Sequence, residues 1–260
     1  MSQESSPTKP RPVALVTGSA KRIGREIALR LARDGYDIAI HTAHSPQQAS
    51  ETAAEISALG VEAEVFEADL ADETRCEELF PRVVERFGRV DALVNNACVF
   101  DYDNVARLNY ARLTAHMNVN AGAALVLARQ LHAHLATAVD RTGVVVNMLD
   151  QRLWNPNPDY LSYALSKGAL ELLTRVLAVS LAPTVRVVGV APGLTTGSDL
   201  IDEQLLTAMA SRALTHKLPT MQEVAATVSF AVSNQAFTGS TLMVDAGFHL
   251  NSMRRDFPFL

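Results

Sequence analysis

Residues 13–24 read Val-Ala-Leu-Val-Thr-Gly-Ser-Ala-Lys-Arg-Ile-Gly, a short apolar run followed by a loop with glycines at positions 18 and 24. The run predicts a buried β-strand, and the amphipathic residues Arg25–Arg33 that follow predict a helix. Glycine permits a tight turn and lets the backbone approach a phosphate, and the N-terminus of a helix attracts anions. The segment therefore predicts a strand, a phosphate-binding loop and a helix, although an ordinary strand-to-helix turn fits the same residues.

Outward from this segment, apolar runs alternate with helical patterns along the chain. Six further runs predict strands: Asp37–Ile40, Ala63–Phe66, Ala92–Val94, Val144–Met148, Val185–Val190 and Leu242–Val244. Strict alternation of strands and helices predicts a parallel sheet that is covered by helices on both faces. The expected fold class is α/β, a single-domain Rossmann-type doubly wound fold with about seven parallel strands.

No linker or change of composition divides the chain, so we expect one domain over residues 11–260 after a disordered tail over residues 1–10. One segment, from Pro192 to Pro219, interrupts the alternation with a Pro-Gly turn and a helical stretch around Ile201–Leu214. Loops beyond the carboxyl ends of the strands form the binding crevice of such folds. We therefore expect this segment to cover the substrate as a lid.

Composition excludes several classes of protein. The 260 residues carry a net charge of −5, and the basic residues are scattered, which argues against a nucleic-acid partner. The N-terminus lacks the apolar stretch of a secretory signal, and no run reaches the roughly 18 apolar residues of a membrane span. Two cysteines cannot form a disulfide framework and suit a reducing compartment. We expect a cytoplasmic protein without a membrane partner.

Further motifs follow the predicted strands in a fixed order. They are Asn95-Asn96-Ala97, Asn120, Tyr163-Ala164-Leu165-Ser166-Lys167, Pro192-Gly193 and Val244-Asp245. Together with the loop at residues 17–24, they resemble the short-chain dehydrogenase/reductase family from Pro12 to about Gly247. The resemblance implies a nicotinamide cofactor that is bound by Gly18, Lys21, Ile23, Gly24, Asn96, Ala97, Pro192 and Gly193. It also implies that Asp69, next to Leu70, hydrogen-bonds adenine, although a turn or helix cap explains Asp69 equally well.

The end of the second strand indicates which cofactor is used. NAD-binding folds place an Asp or Glu there for the ribose 2′-hydroxyl, whereas this chain has His41, His44 and Ser45, which are potential hydrogen-bond donors to a 2′-phosphate. We therefore expect NADP(H) and no metal, although both histidines also fit ordinary loop positions. Arg22 stands where the family has its middle glycine, which predicts a charged fork beside the pyrophosphate rather than an exposed arginine at a helix start.

Tyr163 and Lys167 are four residues apart and therefore share one face of a predicted helix. A phenol has an ordinary pKa of about 10, and a nearby ammonium lowers that pKa towards the range of efficient proton transfer. The resemblance makes both residues catalytic and also places them at the cofactor. It further implies that Asn120 holds a water that relays protons to Lys167, although a helix-packing amide is an alternative role for Asn120.

Most of the family has a serine 13 residues before the tyrosine, whereas this chain has Asp150. An ionised carboxylate about 4 Å from a developing alkoxide is repulsive by roughly 4 kcal/mol at an effective dielectric near 20. Ketone reduction is thus disfavoured unless Asp150 is protonated. A carboxyl group instead suits a ring with C=N bonds and N–H donors, because it can accept from ring amines or pass a proton to a ring nitrogen.

With Arg22 in the loop and Asn147-Met148-Leu149-Asp150 before the tyrosine, the chain resembles the pteridine reductase branch, which reduces dihydropterins or dihydrofolate with NADPH. In that branch an aromatic ring stacks the pterin, and Phe100 matches it; a core residue is the competing interpretation of Phe100. The resemblance implies that Arg22, Phe100, Asp150 and Tyr163 bind a pterin-like small molecule.

Two other functions remain open at this point. One is an NADP(H)-dependent carbonyl or alcohol oxidoreductase of the same family, and the other is a non-catalytic NADP-binding protein. The resemblance also implies a homotetramer that pairs the helices around residues 106–135 and 161–181. The apolar tail Arg254–Leu260 leads to the hypothesis that it packs on a neighbouring subunit near the substrate pocket.

Overall fold

The computed structural model describes residues 10–138, 141–195, 203–256 and 259. Within these ranges seven strands form one parallel sheet in the order β3-β2-β1-β4-β5-β6-β7. The strands are β1 (Val13–Val16), β2 (Asp37–Thr42), β3 (Ala63–Glu67), β4 (Ala92–Asn95), β5 (Gly143–Met148), β6 (Val185–Pro192) and β7 (Thr241–Val244). The doubly wound α/β fold that the sequence predicts is confirmed, and each of the seven apolar runs forms a strand.

Helices connect the strands and cover both faces of the sheet. They are α1 (Arg22–Arg33), α2 (Pro46–Ser57), α3 (Glu73–Phe87), α4 (Tyr110–Met117), α5 (Ala123–Ala136), α6 (Leu161–Ser180), α7 (Glu203–Arg212) and α8 (Met221–Ser233). A π-helical turn, Asn118–Gly122, separates α4 from α5, and short 3₁₀ turns lie at Gln151–Leu153 and Phe248–Leu250.

Two apolar layers explain why the central strands lack alternation of polar and apolar residues. On one face α1, α2 and α8 pack Ile27, Ile56 and Val228 against the sheet. On the other face α3, α5 and α6 contribute residues such as Leu79 and Leu127. Because every residue of β1, β4 and β5 is buried, these strands read as continuous apolar runs.

The strand order reverses beside β1, and this positions the site. The chain runs from β1 outwards through β2 to β3, then returns to place β4 on the other side of β1. In such sheets the loops that follow the two diverging strands leave a crevice at the carboxyl edge. The glycine loop follows β1 and residues 96–100 follow β4, so both border that crevice.

Two sequence predictions concern segments that the structure covers in part. In the expected lid, α7 and the chain after it pack Met209, Ala213 and Leu218 on Phe248, while residues 196–202 lie outside the described residues. The expected disordered tail, residues 1–10, also lies outside them except for Pro10. In the described part of the chain, every helix is too short or too polar to cross a membrane.

Candidate active site

The glycine loop packs so closely that two of its positions exclude a side chain. Gly18 has a φ of +63°, and a Cβ there would lie 2.9 Å from the Cα of Ala97. A Cβ on Gly24 would lie 2.2 Å from the carbonyl oxygen of Gly18. The first turn of α1 therefore stands directly against the loop, with bare backbone facing the crevice.

Residues after β4 hold this loop in place. The Nδ2 group of Asn96 donates to the carbonyl oxygens of Thr17 at 2.9 Å and Gly18 at 3.0 Å. The Thr17 hydroxyl oxygen accepts from the backbone N–H groups of Asn96 and Ala97 at 2.9 and 3.0 Å. Asn96 and Ala97 thus shape the expected cofactor site by tying together the ends of the two diverging strands.

His41 does not have the role that the sequence suggested. Its ring is 1% exposed, its Nδ1 accepts from the backbone N–H of Gly18 at 3.0 Å, and its Nε2 donates to the carbonyl of Ala68 at 2.9 Å. Burial lowers the pKa of His41 to about 4. The prediction that His41 donates to a 2′-phosphate is wrong, because both ring nitrogens are already bonded. The neutral ring positions the glycine loop instead.

Arg22 departs from the usual loop in its backbone as well as its side chain. It is exposed and has a φ of +54°, a left-handed conformation that favours glycine and costs other residues about 1 kcal/mol. This residue therefore occupies a glycine-type position at the mouth of the crevice despite that cost.

One cavity of about 880 Å³ runs from the glycine loop to Tyr163. The lining near the loop includes Lys21, His44, Ser45, Asp69 and Leu70, and at the end of β6 it includes Pro192 and Gly193. Of the residues predicted for the site, Asn120 alone is absent from the lining. The volume is within the range of pockets that hold small molecules and cofactors.

The Tyr163 phenol and the Asp150 carboxylate were both predicted for the catalytic site, and the structure brings the two side chains together. The Tyr163 hydroxyl donates to Oδ2 of Asp150 at 2.9 Å, and Oδ1 of Asp150 accepts from the backbone N–H of Arg152 at 2.8 Å. The Asp150 side chain is 22% exposed and Tyr163 is buried. Asp150 therefore faces the phenol across the cavity rather than bulk solvent.

The pKa of Tyr163 moves in the direction opposite to our expectation. Burial and the negative charge of Asp150 raise it well above its ordinary value, the Cys98 thiol acts in the same direction, and the Arg152 guanidinium opposes them. The Nζ of Lys167 donates to the carbonyl of Met148 at 2.6 Å and lies 5.7 Å from the Tyr163 ring centroid. The prediction of a lowered Tyr163 pKa is wrong, because burial and the charge of Asp150 outweigh the opposing positive charge of Arg152.

Asn120 is a packing amide and not a cavity residue. In the π-helical turn its Oδ1 accepts from the backbone N–H of Val99 at 2.8 Å, and its Nδ2 donates to the Val99 carbonyl at 3.0 Å and the Ser166 hydroxyl at 2.9 Å. These bonds match the alternative role of a helix-packing amide, and the relay water stays a prediction. The amide ties the segment that carries Phe100 to the helix that carries Tyr163.

Buried hydrogen bonds fix that helix at its start and along its length. The Asp103 carboxylate accepts from the backbone N–H of Ser162 at 3.0 Å and from its hydroxyl at 2.5 Å. Further along, Nδ2 of Asn147 donates to the Thr174 hydroxyl at 2.9 Å. Since α6 is anchored on both the loop and β5, the Tyr163 phenol has a defined position relative to Asp150.

Phe100 forms part of the cavity wall. It is 37% exposed, which excludes the interpretation as a core residue. Its ring stacks on Tyr160 with centroids 4.3 Å apart and an angle of 10°, and it meets Tyr163 edge-on at 4.6 Å. The cavity thus presents a flat, rigidly held aromatic surface beside the phenol.

Two site residues were missed by sequence reasoning. Arg152 is buried beside Asp150, and Asp256, 104 positions later, pairs with it at 2.5 Å and lines the same cavity. The hypothesis placed the tail on a neighbouring subunit, whereas Asp256 and Phe259 contact their own chain, Phe259 at 5.1 Å from the Tyr102 ring. Residues 257, 258 and 260 lie outside the described part of the tail.

Comparison with known proteins gives consistent matches over nearly the whole chain. Residues 18–249 match the family model described as Enoyl-(Acyl carrier protein) reductase. The 3-oxoacyl-(acyl-carrier-protein) reductase FabG of Staphylococcus epidermidis is 29% identical over 242 residues, which are 91% of this chain and 98% of that protein.

Two solved structures are similar in both sequence and fold. FolM alternative dihydrofolate reductase 1 from Brucella suis, in complex with NADP, is 36% identical with a TM-score of 0.87, over 93% of this chain and 96% of its own. The promiscuous reductase LugOII, which catalyses keto-reduction at C1 during lugdunomycin biosynthesis, is 31% identical with a TM-score of 0.85, over 92% of this chain and 98% of its own.

Proposed function

Because the chain belongs to the short-chain dehydrogenase/reductase family of oxidoreductases, we propose that it is an NADPH-dependent reductase of a dihydropterin or dihydrofolate-like substrate. The hydrogen bond of 2.9 Å from the Tyr163 hydroxyl to the Asp150 carboxylate carries the proposal. It puts an acceptor for ring N–H groups next to a proton donor. FolM, the structural neighbour from Brucella suis, is a dihydrofolate reductase by name, which supports this substrate class.

The cleft near β1 and β2 suits NADP. The glycine loop offers bare backbone to a pyrophosphate, since a side chain at Gly24 would overlap the Gly18 carbonyl. His44 and Ser45 stand where NAD-binding folds place a carboxylate, so the charge that would repel a 2′-phosphate is missing at these positions. FolM was solved with NADP. When bound, this cofactor supplies the hydride.

Tyr163 is suited to give a proton. Its pKa is raised by burial and by the charge of Asp150, so the hydroxyl stays neutral at physiological pH. A neutral phenol can donate to a substrate nitrogen once its O–H turns from Asp150 to the substrate, and Asp150 is then free to accept from ring N–H groups. At about 4 Å and an effective dielectric near 20, the same carboxylate would repel an alkoxide by roughly 4 kcal/mol. The pair therefore favours nitrogen-rich rings over ketones.

Other side chains in the cavity bind rather than react. Phe100, backed by Tyr160, offers a flat surface to a heteroaromatic ring. Arg22 brings a permanent positive charge to the phosphate end of the cavity. Lys167 is buried in the cavity wall, and its ammonium donates to the Met148 carbonyl. We assign this ammonium to the binding of the cofactor ribose.

Turnover assays that follow NADPH oxidation test the proposal. We expect reduction of 7,8-dihydrobiopterin or dihydrofolate, and little reduction of β-keto thioesters. Asp150→Ser, which restores the usual family residue, is the informative variant: it should lose pterin turnover and gain carbonyl turnover. Carbonyl reduction by the wild type with no pterin or folate turnover would reject the substrate assignment and retain the oxidoreductase class.

Keto-reduction is the second candidate function, and specific relatives favour it. FabG is a 3-oxoacyl reductase and LugOII reduces a ketone, at 29% and 31% identity. In that case Asp150 would organise water beside Tyr163 rather than contact the substrate. The Asp150→Ser variant separates the two functions. A pterin reductase should lose its pterin turnover in this variant, whereas a keto-reductase should keep its carbonyl turnover and increase it.

The assembly is a further part of the proposal. Helix α6 exposes apolar side chains on one face, Leu172 at 55%, Val176 at 49% and Val179 at 81%. Such a face suits contact with another copy of the chain, and we propose a homotetramer. Light scattering after size-exclusion chromatography measures the mass, and a monomer at micromolar concentration would contradict the assignment.

A further inference from the structure

Arg152 is a buried cation in the middle of the substrate end of the cavity. It lies in the 3₁₀ turn just after Asp150, and its side chain is 6% exposed. Three rings surround the guanidinium, those of Phe100, Tyr160 and Tyr163, with centroids 5.2–5.6 Å from its Cζ. A charge this deep needs anionic partners, because desolvation is costly.

Two carboxylates share this cation unequally. The Nη2 group donates to Oδ2 of Asp256 at 2.5 Å, and Nη1 donates to the carbonyl of Asp159 at 3.2 Å. The Nε group is 3.7 Å from Oδ1 of Asp150 and has no hydrogen-bond partner among the described residues. The guanidinium is therefore held just beyond hydrogen-bond reach of the carboxylate that faces Tyr163.

Asp256 holds the guanidinium from a tail that is fixed to the same region. Its backbone N–H donates to Oδ2 of Asp159 at 2.9 Å, and Arg255 donates to both oxygens of Asp159 at 2.8 and 2.9 Å. The carboxylate side chain of Asp256 is 4% exposed. Asp256 is thus built into the cavity wall beside Arg152.

We propose that Asp256 is a positioning residue for the reaction: by holding the Arg152 guanidinium, it keeps the Asp150 carboxylate bonded to the Tyr163 hydroxyl. Without that carboxylate, the fork of Arg152 closes on Asp150 in a two-point ion pair. Asp150 then turns away from the phenol. The inference rests on the proposed roles of Asp150 and Tyr163, and it adds the C-terminal segment to the active site.

The pH dependence distinguishes this role from a merely structural one. The charged and titratable groups around the Tyr163 hydroxyl are Asp150, Cys98, Arg152 and Lys167. Asp150 raises the pKa of Tyr163 and Arg152 lowers it. When Arg152 neutralises Asp150, the pKa of the phenol falls, and the donor loses its proton at lower pH. The alkaline limb of the kcat profile should therefore move down.

Asp256→Asn is the test, with Arg254→Ala as the matched control, because Arg254 is exposed and lies two residues away. In Asp256→Asn we expect kcat to fall about tenfold to a hundredfold, within or below the range that a positioned proton donor contributes. The alkaline limb should move to lower pH while the Kd for NADPH stays unchanged. Arg254→Ala should match the wild type. An unchanged kcat and profile in a folded Asp256→Asn enzyme overturns the proposal.

A double-mutant cycle with Arg152→Met tests whether Asp256 acts through Arg152. The effect of Asp256→Asn should largely disappear in that background, and additive effects overturn the proposal. If asparagine at 256 prevents folding, as judged by Tm, Asp256→Ser removes the charge with a smaller side chain and the same shift is expected. All variants are assayed on whichever substrate the wild type reduces. A wild type that reduces only carbonyls rejects the pterin assignment and still reports the Asp256 shift.

Discussion

Protonation of His41 should weaken the fold by an amount that follows from its position. The buried ring accepts the backbone N–H of Gly18 through Nδ1, which is possible only for the neutral form that donates through Nε2. Its pKa is about 4, below the ordinary value of 6.5. As pH falls through this interval, His41 binds a proton in the unfolded chain but not in the folded chain. The stabilisation that the neutral ring contributes is therefore fully present above pH 6.5 and is lost as the pH falls to about 4.

The expected loss is a sizeable fraction of a typical domain stability of about 5–15 kcal/mol. The interval of about 2.5 pH units, at about 1.4 kcal/mol per unit, corresponds to about 3 kcal/mol of unfolding free energy. Many other groups also titrate in this range, so the comparison must be with a variant that differs only at this position. His41→Asn retains a small polar side chain and does not titrate.

Urea unfolding of the two proteins at intervals between about pH 7 and pH 4 measures the effect. His41→Asn should be less stable at pH 7, and its unfolding free energy should change less on acidification, so that the two curves converge by about 3 kcal/mol. Parallel curves across this range would refute the reasoning, because they would show that His41 binds its proton equally in both states.

Three further predictions address the glycine loop and the catalytic end. Tyr163→Phe should lower kcat by about 10²–10⁴ while the Kd for NADPH, from fluorescence titration, stays within about twofold; a smaller loss would mean that another group gives the proton. Gly24→Ala should abolish NADPH binding, because its Cβ would lie 2.2 Å from the Gly18 carbonyl, whereas Gly168→Ala, whose Cβ meets nothing closer than 3.9 Å, should bind normally by calorimetry. Phe100→Ala should raise the KM for a dihydropterin by about 2- to 12-fold through lost stacking, and an unchanged KM would remove Phe100 from the substrate site.

The fold was predictable because its signals are local and repeated. Each strand is a short apolar run, since burial on both faces of a parallel sheet leaves no polar position along it. The glycine loop was equally predictable, because the close approach of Gly24 to Gly18 leaves room only for glycine at position 24. In both cases the physical constraint acts within a few residues of the feature that reveals it.

The directions in which the His41 and Asn120 side chains point were not predictable, for a related reason. β2 is buried on both faces at its centre, so period-two alternation does not tell which way a polar side chain points. His41 turns inwards to Gly18 instead of outwards to the cofactor. Asn120 sits in a π-helical turn, which changes the direction of side chains relative to an α-helix, and it faces Val99. The sequence pattern identified these polar residues, but it did not indicate the direction in which their side chains point.

The pair of Arg152 and Asp256 shows a stricter limit, because 104 positions separate its members and only the folded chain joins them. In our proposal, that pair positions the Asp150 carboxylate beside Tyr163. Burial and Asp150 make Tyr163 a reluctant acid, and Arg152 moderates this from a fixed distance. A phenol that holds its proton is suited to donate during reduction and poorly suited to accept one during alcohol oxidation. Burial and the carboxylate at 150 therefore act together against loss of the proton, and the cation at 152 limits their effect. Under the proposed function, the result is a reductase whose proton donor is still protonated when substrate arrives.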